Sequence, residues 1–194
     1  MEELDHLIEA KIIPNSNGQE IEIRLITSPE LFNYRHIDEG TQMLIEQMDV
    51  HEKDDCLDLG CGYGPIGVVM ALMAPKGTTY MVDRDFIAID YAKRNIKENN
   101  LKNAQALLSN GFSHIDDKKF DVISSNLPAH VSHEALRRMI DGMHPHLKEN
   151  GRVYVVVISM FGYFVKRELM KNFKNCKKLK EGPKHIVFSA VKKL

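Results

Sequence analysis

Cys56-Leu57-Asp58-Leu59-Gly60-Cys61-Gly62-Tyr63-Gly64-Pro65-Ile66-Gly67 is the stretch on which the reading of this chain turns. A short apolar run ends in an acid, breaks into alternating glycines, and gives way to helical periodicity through Val68, Val69, Ala71, Leu72 and Met73. Alternating glycines belong where the backbone takes positive φ or where a ligand approaches bare main chain, so the stretch reads as strand, ligand loop and helix in succession. Gly62 to Gly67 match the dinucleotide pattern G-x-G-x-x-G, which alone is a weak signal. Asp58 discriminates. A pyrophosphate rests on a helix N-terminus because free N–H groups and the helix dipole favour anions there, and a carboxylate just before the loop repels it. The same carboxylate suits a ligand that brings a cation, such as an α-ammonium group.

Thr79-Tyr80-Met81-Val82-Asp83 reads as a second strand ending in an acid, about 20 residues beyond the loop, where a ribose offers its hydroxyls. An acid for an amine and an acid for a ribose together describe S-adenosylmethionine. Asp58-x-Gly60-x-Gly62-x-Gly64 with Asp83 resembles the class I S-adenosylmethionine-dependent methyltransferases. The resemblance implies a cofactor site built from Asp58, Gly60, Cys61, Gly62, Gly64, Asp83 and Arg84, with Thr41 from an earlier segment. Ser109-Asn110-Gly111-Phe112, at the end of the third strand, extends this site: Asn110 offers a hydrogen bond to the adenine edge, or simply opens an Asn-Gly turn, and Phe112 packs nearby.

The 194 residues, 43% hydrophobic, suffice for one sizeable core and are expected to form a single domain, with residues 1–50 a hairpin and helix in front of a core over 51–194. The apolar stretch from Val153 to Phe164 contains Ser159 and Gly162 and is shorter than the roughly 18 residues of a membrane span. With the acidic opening Met1-Glu2-Glu3-Leu4-Asp5, a cytoplasmic protein without membrane association is expected. The cysteines Cys56, Cys61 and Cys176 are odd in number and lack zinc-ligand spacing, so neither a disulfide framework nor a metal centre is expected. Net charge is −1, but acids dominate the first fifty residues and bases the segment after position 136. That asymmetry marks either a nucleic-acid surface or a solvated lysine-rich face.

Residues 10–13 and 21–26 flank Pro14-Asn15-Ser16-Asn17-Gly18, and Asn-Gly is a strong hairpin signal. A helix carrying Met43, Leu44, Ile45 and Met48 follows. From position 55 the pattern alternates: strand 55–59, helix 65–75, strand 78–83, helix 86–99, strand 104–108, strand 120–125, helix 132–147, strand 152–159, helix 163–173 and strand 185–191. This predicts an α/β fold: a doubly wound, mostly parallel Rossmann-like methyltransferase sheet with an antiparallel last strand and a small N-terminal β-hairpin. Residues 177–183 are expected as the turn of a closing antiparallel hairpin.

Phe120-Asp121-Val122-Ile123-Ser124-Ser125-Asn126 places an amide at the tip of a buried strand, followed by Leu127-Pro128-Ala129-His130. The segment is similar to the methyltransferase small-domain family, familiar members of which methylate exocyclic amino groups of bases, notably guanine N2 in ribosomal RNA, through an Asn-Pro-Pro-aromatic motif. The likeness also covers Phe32, Asp38-Glu39-Gly40-Thr41, Lys148-Glu149-Asn150-Gly151 and the final strand. Here Leu127 stands for the first proline and Ala129 for the aromatic. The resemblance implies Asn126, Leu127 and Pro128 as the catalytic segment: the Asn126 oxygen and the Leu127 carbonyl accept the N–H bonds of an amine and aim its lone pair at the methyl donor. Loss of the ring at Ala129 removes a stacking platform worth roughly 1–3 kcal/mol. Phe32 and His130 are candidate substrate contacts, and His130 equally suits an exposed helix start. The implied function is methylation of an amino group in ribosomal or other RNA. Methylation of a small molecule or protein, a methyltransferase fold acting as an RNA-binding or assembly factor, and a nicotinamide oxidoreductase, disfavoured by Asp58, stay open as alternatives.

Overall fold

The structure is a computed structural model that describes residues 5–14, 18, 20–115 and 117–193. Strands β1 (His6–Ile12) and β2 (Ile21–Thr27) pair antiparallel from His6↔Thr27 to Ile12↔Ile21. Their alternation buries Ile8, Ile12, Ile23 and Leu25 on one face. Residues 15–17 of the expected turn, like the opening residues 1–4, lie outside the described residues. Helix α1 (Glu39–Gln47) begins where Asp38, its N-cap, accepts the Thr41 N–H.

The alternating segments follow as β3 (Cys56–Leu59), α2 (Pro65–Met73), β4 (Thr79–Asp83), α3 (Phe86–Glu98), β5 (Ala104–Leu108), β6 (Phe120–Asn126), α4 (His133–Met143), β7 (Leu147–Ile158), α5 (Gly162–Phe173), β8 (Lys177–Glu181) and β9 (His185–Val191). Their sheet has seven strands in the order β5-β4-β3-β6-β7-β9-β8. Strands β5 to β7 run parallel, and β9 is antiparallel to both neighbours. One face (Cys56, Met81, Val122, Val156, Val187) packs with the hairpin and α1 to α3; the other (Leu57, Val82, Ile123, Val155, Phe188) packs with α4 and α5.

Three expectations shift. Helix α4 stops at Met143, short of the expected 147, because Pro145 has no N–H for the next helical bond. Strand β7 starts at Leu147 instead of 152, and Asn150-Gly151 is an irregularity within it: Asn150 has φ 60 and the register slips between Phe120 and Val122. The closing antiparallel hairpin forms, but residues 177–181, expected within its turn, are its outer strand β8, paired with β9. Its Lys-Lys-Leu-Lys-Glu sequence carries charges that protect a sheet edge.

Candidate active site

Strand order reverses at β3: the chain steps outward to β4 and β5, then returns to β6 on the other side of β3. Ligands of open α/β sheets bind in the crevice outside the strand ends at such a point. Here that crevice is a cleft of about 570 Å³ lined by Leu59, Gly60, Asp83, Arg84, Ser109, Asn110, Gly111, Phe112, Asn126, Pro128, Val131, Ala135, Arg138 and Met139. The tips are tied together: Ser125 Oγ donates to the Leu59 carbonyl at 2.7 Å, and the Ser109 N–H to the Asp83 carbonyl at 2.8 Å.

The glycines of the loop divide into two kinds. Gly60 and Gly62 have φ 74 and 54, and a Cβ on either meets no atom within 4 Å, so bare main chain faces open space. Gly64 and Gly67 instead let α2 close onto β4: a Cβ on Gly67 falls 2.5 Å from Met81 Cγ. Asp83 ties the loop to the next turn, its Oδ2 accepting the Gly62 N–H at 2.9 Å and its Oδ1 the Asp85 N–H at 3.0 Å. Tyr63 is held by Asn95 of α3, whose amide donates to the Tyr63 and Ile26 carbonyls and accepts the Ile26 N–H, binding loop, helix and hairpin together.

Asp58 lies behind the cleft and does not line it. It is fully buried, and its Oδ2 accepts the Gly67 N–H at 2.8 Å. Gly64, the N-cap of α2, has no side chain to cap with, so the strand acid serves that helix end. Its Oδ1 is buried without a hydrogen-bond partner among the described residues. Burial pushes its carboxyl up to about 7; the Gly67 N–H opposes this shift and the Asp83 charge adds to it. Cys61 is also buried, its thiol pushed well up by burial and by the charges of Asp58 and Asp83, which suits a packing residue and not a nucleophile.

Asn126, at the tip of β6, donates its amide Nδ2 to Asp38 Oδ2 at 3.0 Å and to Thr41 Oγ1 at 2.9 Å. Thr41, which the resemblance assigned to the cofactor, is buried in the first turn of α1 with its hydroxyl on Asn126. Leu127 is buried and donates its N–H to the Val156 carbonyl. Among the other sequence-selected residues, Gly60, Asp83, Arg84, Asn110, Gly111, Phe112 and Pro128 reach the cleft wall, whereas Cys61, Gly62 and Gly64 stand outside the lining. Phe112 stacks on His146 with centroids 4.2 Å apart. Phe32 is 74% exposed and His130 exposed, both outside the lining; His133 stacks on Phe164. Sequence reasoning missed the α4 wall. Val131 just before α4, with Ala135, Arg138 and Met139 on it, follows the spacing i, i+4, i+7 and i+8, a stripe beside the buried Leu136, Ile140 and Met143 that the periodicity contained.

A glycine loop after β3, an acid at the end of β4, a polar amide at the end of β6 and a reversed β9 define the class I methyltransferase fold. The chain belongs to the Methyltransferase small domain family, which matches residues 22–189. It is 34% identical over 146 residues to ribosomal RNA small subunit methyltransferase C of Mannheimia succiniciproducens, covering 73% of this chain and 43% of that protein. It is 25% identical to ribosomal RNA large subunit methyltransferase G of Psychromonas ingrahamii, covering 90% of this chain and 47% of that one. The chain thus spans less than half the length of these relatives. In fold it is similar to the T. thermophilus 16S rRNA N2 methyltransferase solved with AdoMet and guanosine, at a TM-score of 0.84 and 23% identity over 98% of this chain and 51% of that one. Among the described residues no helix is long and apolar enough to cross a membrane.

Proposed function

We propose that this chain is an S-adenosylmethionine-dependent methyltransferase that modifies an exocyclic amino group of a base in ribosomal RNA, in the cytoplasm, and that residues 1–194 fold as a single domain. The core shared by hairpin residues Ile23 and Leu25 with Val69 of α2 supports the single domain. The carrying observation is Asn126: both amide hydrogens are engaged, so its oxygen is left as an acceptor on the cleft wall.

The residues present fit the cofactor. Open space at the Gly60 and Gly62 Cβ positions leaves room against bare main chain, Asp83 lines the cleft as an acceptor for ribose hydroxyls, and the unpartnered Asp58 Oδ1 offers a free hydrogen-bonding oxygen behind the loop. Arg84 and the Asn110-Gly111-Phe112 turn complete the adenosine side. When bound, S-adenosylmethionine supplies a sulfonium methyl open to in-line attack. An exocyclic amine is a poor nucleophile because its lone pair is delocalised into the ring. Asn126 Oδ1 and the Leu127 carbonyl accept its two N–H bonds and hold the lone pair toward the cleft, so the rate comes from alignment and preorganised dipoles. Leu127 in place of proline keeps that carbonyl, and Pro128 stiffens the backbone that follows. With no ring at Ala129, we assign the stacking face to Phe32. The residue after it, Asn33, donates its amide to Asp38 at 2.9 Å and so anchors this loop to the Asn126 network. His130 is the second substrate contact.

The names of the relatives support ribosomal RNA as substrate. Ala129 favours one other reading, a small-molecule or protein amine that needs no stacking. Transfer of labelled methyl from S-adenosylmethionine to unmodified ribosomal RNA, small amines and protein extract separates the two. In the same assay Asn126→Ala is expected to bind S-adenosylhomocysteine normally and lose about 10²–10³-fold in single-turnover rate, the scale of one preorganised polar contact. Full activity in Asn126→Ala overturns the site.

A further inference from the structure

An amide side chain presents an acceptor or a donor according to its rotation, and the two ends differ little in shape. A site that must receive an amine therefore needs something to choose the rotation. Asn126 lines the cleft whereas Asp38 and Thr41 do not, and the choice is made by one property of Asp38: an ionised carboxylate only accepts hydrogen bonds. Its Oδ2 lies 3.0 Å from Asn126 Nδ2, which excludes the rotamer that would put the amide oxygen there. Thr41 Oγ1 takes the second amide hydrogen at 2.9 Å. Asp38 is itself immobilised, with Oδ2 also accepting the Thr41 N–H at 3.1 Å and Oδ1 accepting Asn33 Nδ2 at 2.9 Å.

We propose that Asp38 and Thr41 are positioning residues that lock the Asn126 amide with its oxygen toward the cleft, and so make the site select a nitrogen that donates N–H over a carbonyl oxygen or an unprotonated ring nitrogen. The inference rests on the methyltransferase reading for its consequence, but the lock is a property of the fold. A rotated amide would present two N–H donors to the substrate and would hold a base by an acceptor edge, with its amine misaligned. The pair thus sets which atom of the substrate faces the methyl donor.

The reciprocal exchange tests it. Asn126→Asp alone sets two carboxylates at hydrogen-bond distance and is expected to lose about 100-fold or more in single-turnover methyl transfer to small- and large-subunit ribosomal RNA transcripts. The double variant Asp38→Asn/Asn126→Asp restores one donor and one carboxylate and is expected to recover at least about tenfold over the single variant. Thr41→Val is expected to lower turnover with S-adenosylhomocysteine affinity unchanged, and Thr41→Ser to restore it. An exchange variant no better than Asn126→Asp, or a Thr41→Val variant that loses cofactor affinity in place of turnover, overturns the proposal. Solvent exchange of the Asn126 side-chain amide protons, read by NMR on the full chain, is independent of activity. It is expected to quicken in Thr41→Val, and an unchanged rate overturns the lock. Wild-type protein that transfers no methyl to either transcript overturns the ribosomal RNA reading instead, and the amide exchange then judges the lock alone.

Discussion

The Gly67 N–H donates to the Asp58 carboxylate at 2.8 Å, joining the acid that precedes the glycine loop to the first turn of the helix that follows it. The loop is therefore closed from behind by its own strand. Gly60 and Gly62 keep their positive φ because both flanks are held, by Asp58 at α2 and by Asp83 at β4.

The first prediction concerns pH. Burial holds the folded Asp58 carboxyl at about 7 against an ordinary 3.8. A raised carboxyl pKa means that the folded state keeps a proton the unfolded chain has lost; its contribution to stability is complete below the ordinary value and lost as pH rises through the folded one. Asp58→Asn keeps an oxygen for Gly67 and removes the titration. Urea unfolding across pH should show the variant gaining on wild type from about pH 4 to about pH 7, then levelling. A constant difference would rule out a protonated Asp58.

Two glycine substitutions should fail in different ways. Gly62→Ala adds a methyl in open space beside the bare loop at φ 54, with strain of about 1–2 kcal/mol, and should lose S-adenosylhomocysteine affinity more than stability. Gly67→Ala meets the Met81 side chain and should lose about 1–3 kcal/mol of stability by overpacking. Calorimetric titration beside thermal unfolding separates them.

Asn95→Ala strands the Tyr63 carbonyl and both main-chain groups of Ile26. The Tyr63 carbonyl is buried and the Ile26 groups are part-buried and open to water, so a loss of about 1–3 kcal/mol is expected, the cost of one buried group left unpaired. Hydrogen exchange should quicken along β2 first, and protection there equal to wild type would show that the hairpin is held by packing alone.

The basic C-terminal half makes a narrower nucleic-acid prediction than its charge suggests. Lys178 pairs with Glu181 and Lys180 with Glu46, on the edge strand β8 away from β6, and Lys148 and Arg152 pair with Asp55, Asp121 and Asp54. Arg138 lines the cleft, paired among the described residues only with the exposed Glu134 one turn earlier at 3.6 Å, and the Lys184 carbonyl accepts the Ser159 N–H just beyond the tip of β7. Filter binding of ribosomal RNA across a salt series should show Arg138→Ala and Lys184→Ala each flattening the log–log slope by about one. The pair Lys178→Ala/Lys180→Ala should change it little. The opposite pattern would place the RNA on β8.

Much of the site was legible because its signals are local. Strand, glycines and helix sit within residues 56–73, Asp83 ends the next strand, and Asn126 ends a run of buried residues. Strand β8 was not legible as a strand, since a solvated Lys-Lys-Leu-Lys-Glu has no buried face to impose alternation, and its pairing with β9 comes from the partner's side. The α4 wall was missed, because a helical period says which residues share a face and not what that face meets.

By itself the sequence determined the order of elements, the place of the glycine loop and the acids and amide at strand ends, for these follow from apolar period, positive-φ glycines and short-range turn chemistry. Only the tertiary structure decided the partner of each polar group. Asp58 turned inward to cap α2, and Asn126 met Asp38 across 88 residues. Hydrogen-bond partners are chosen by which buried donors and acceptors packing brings within 3 Å or so, and that choice is made between elements, where no local pattern records it.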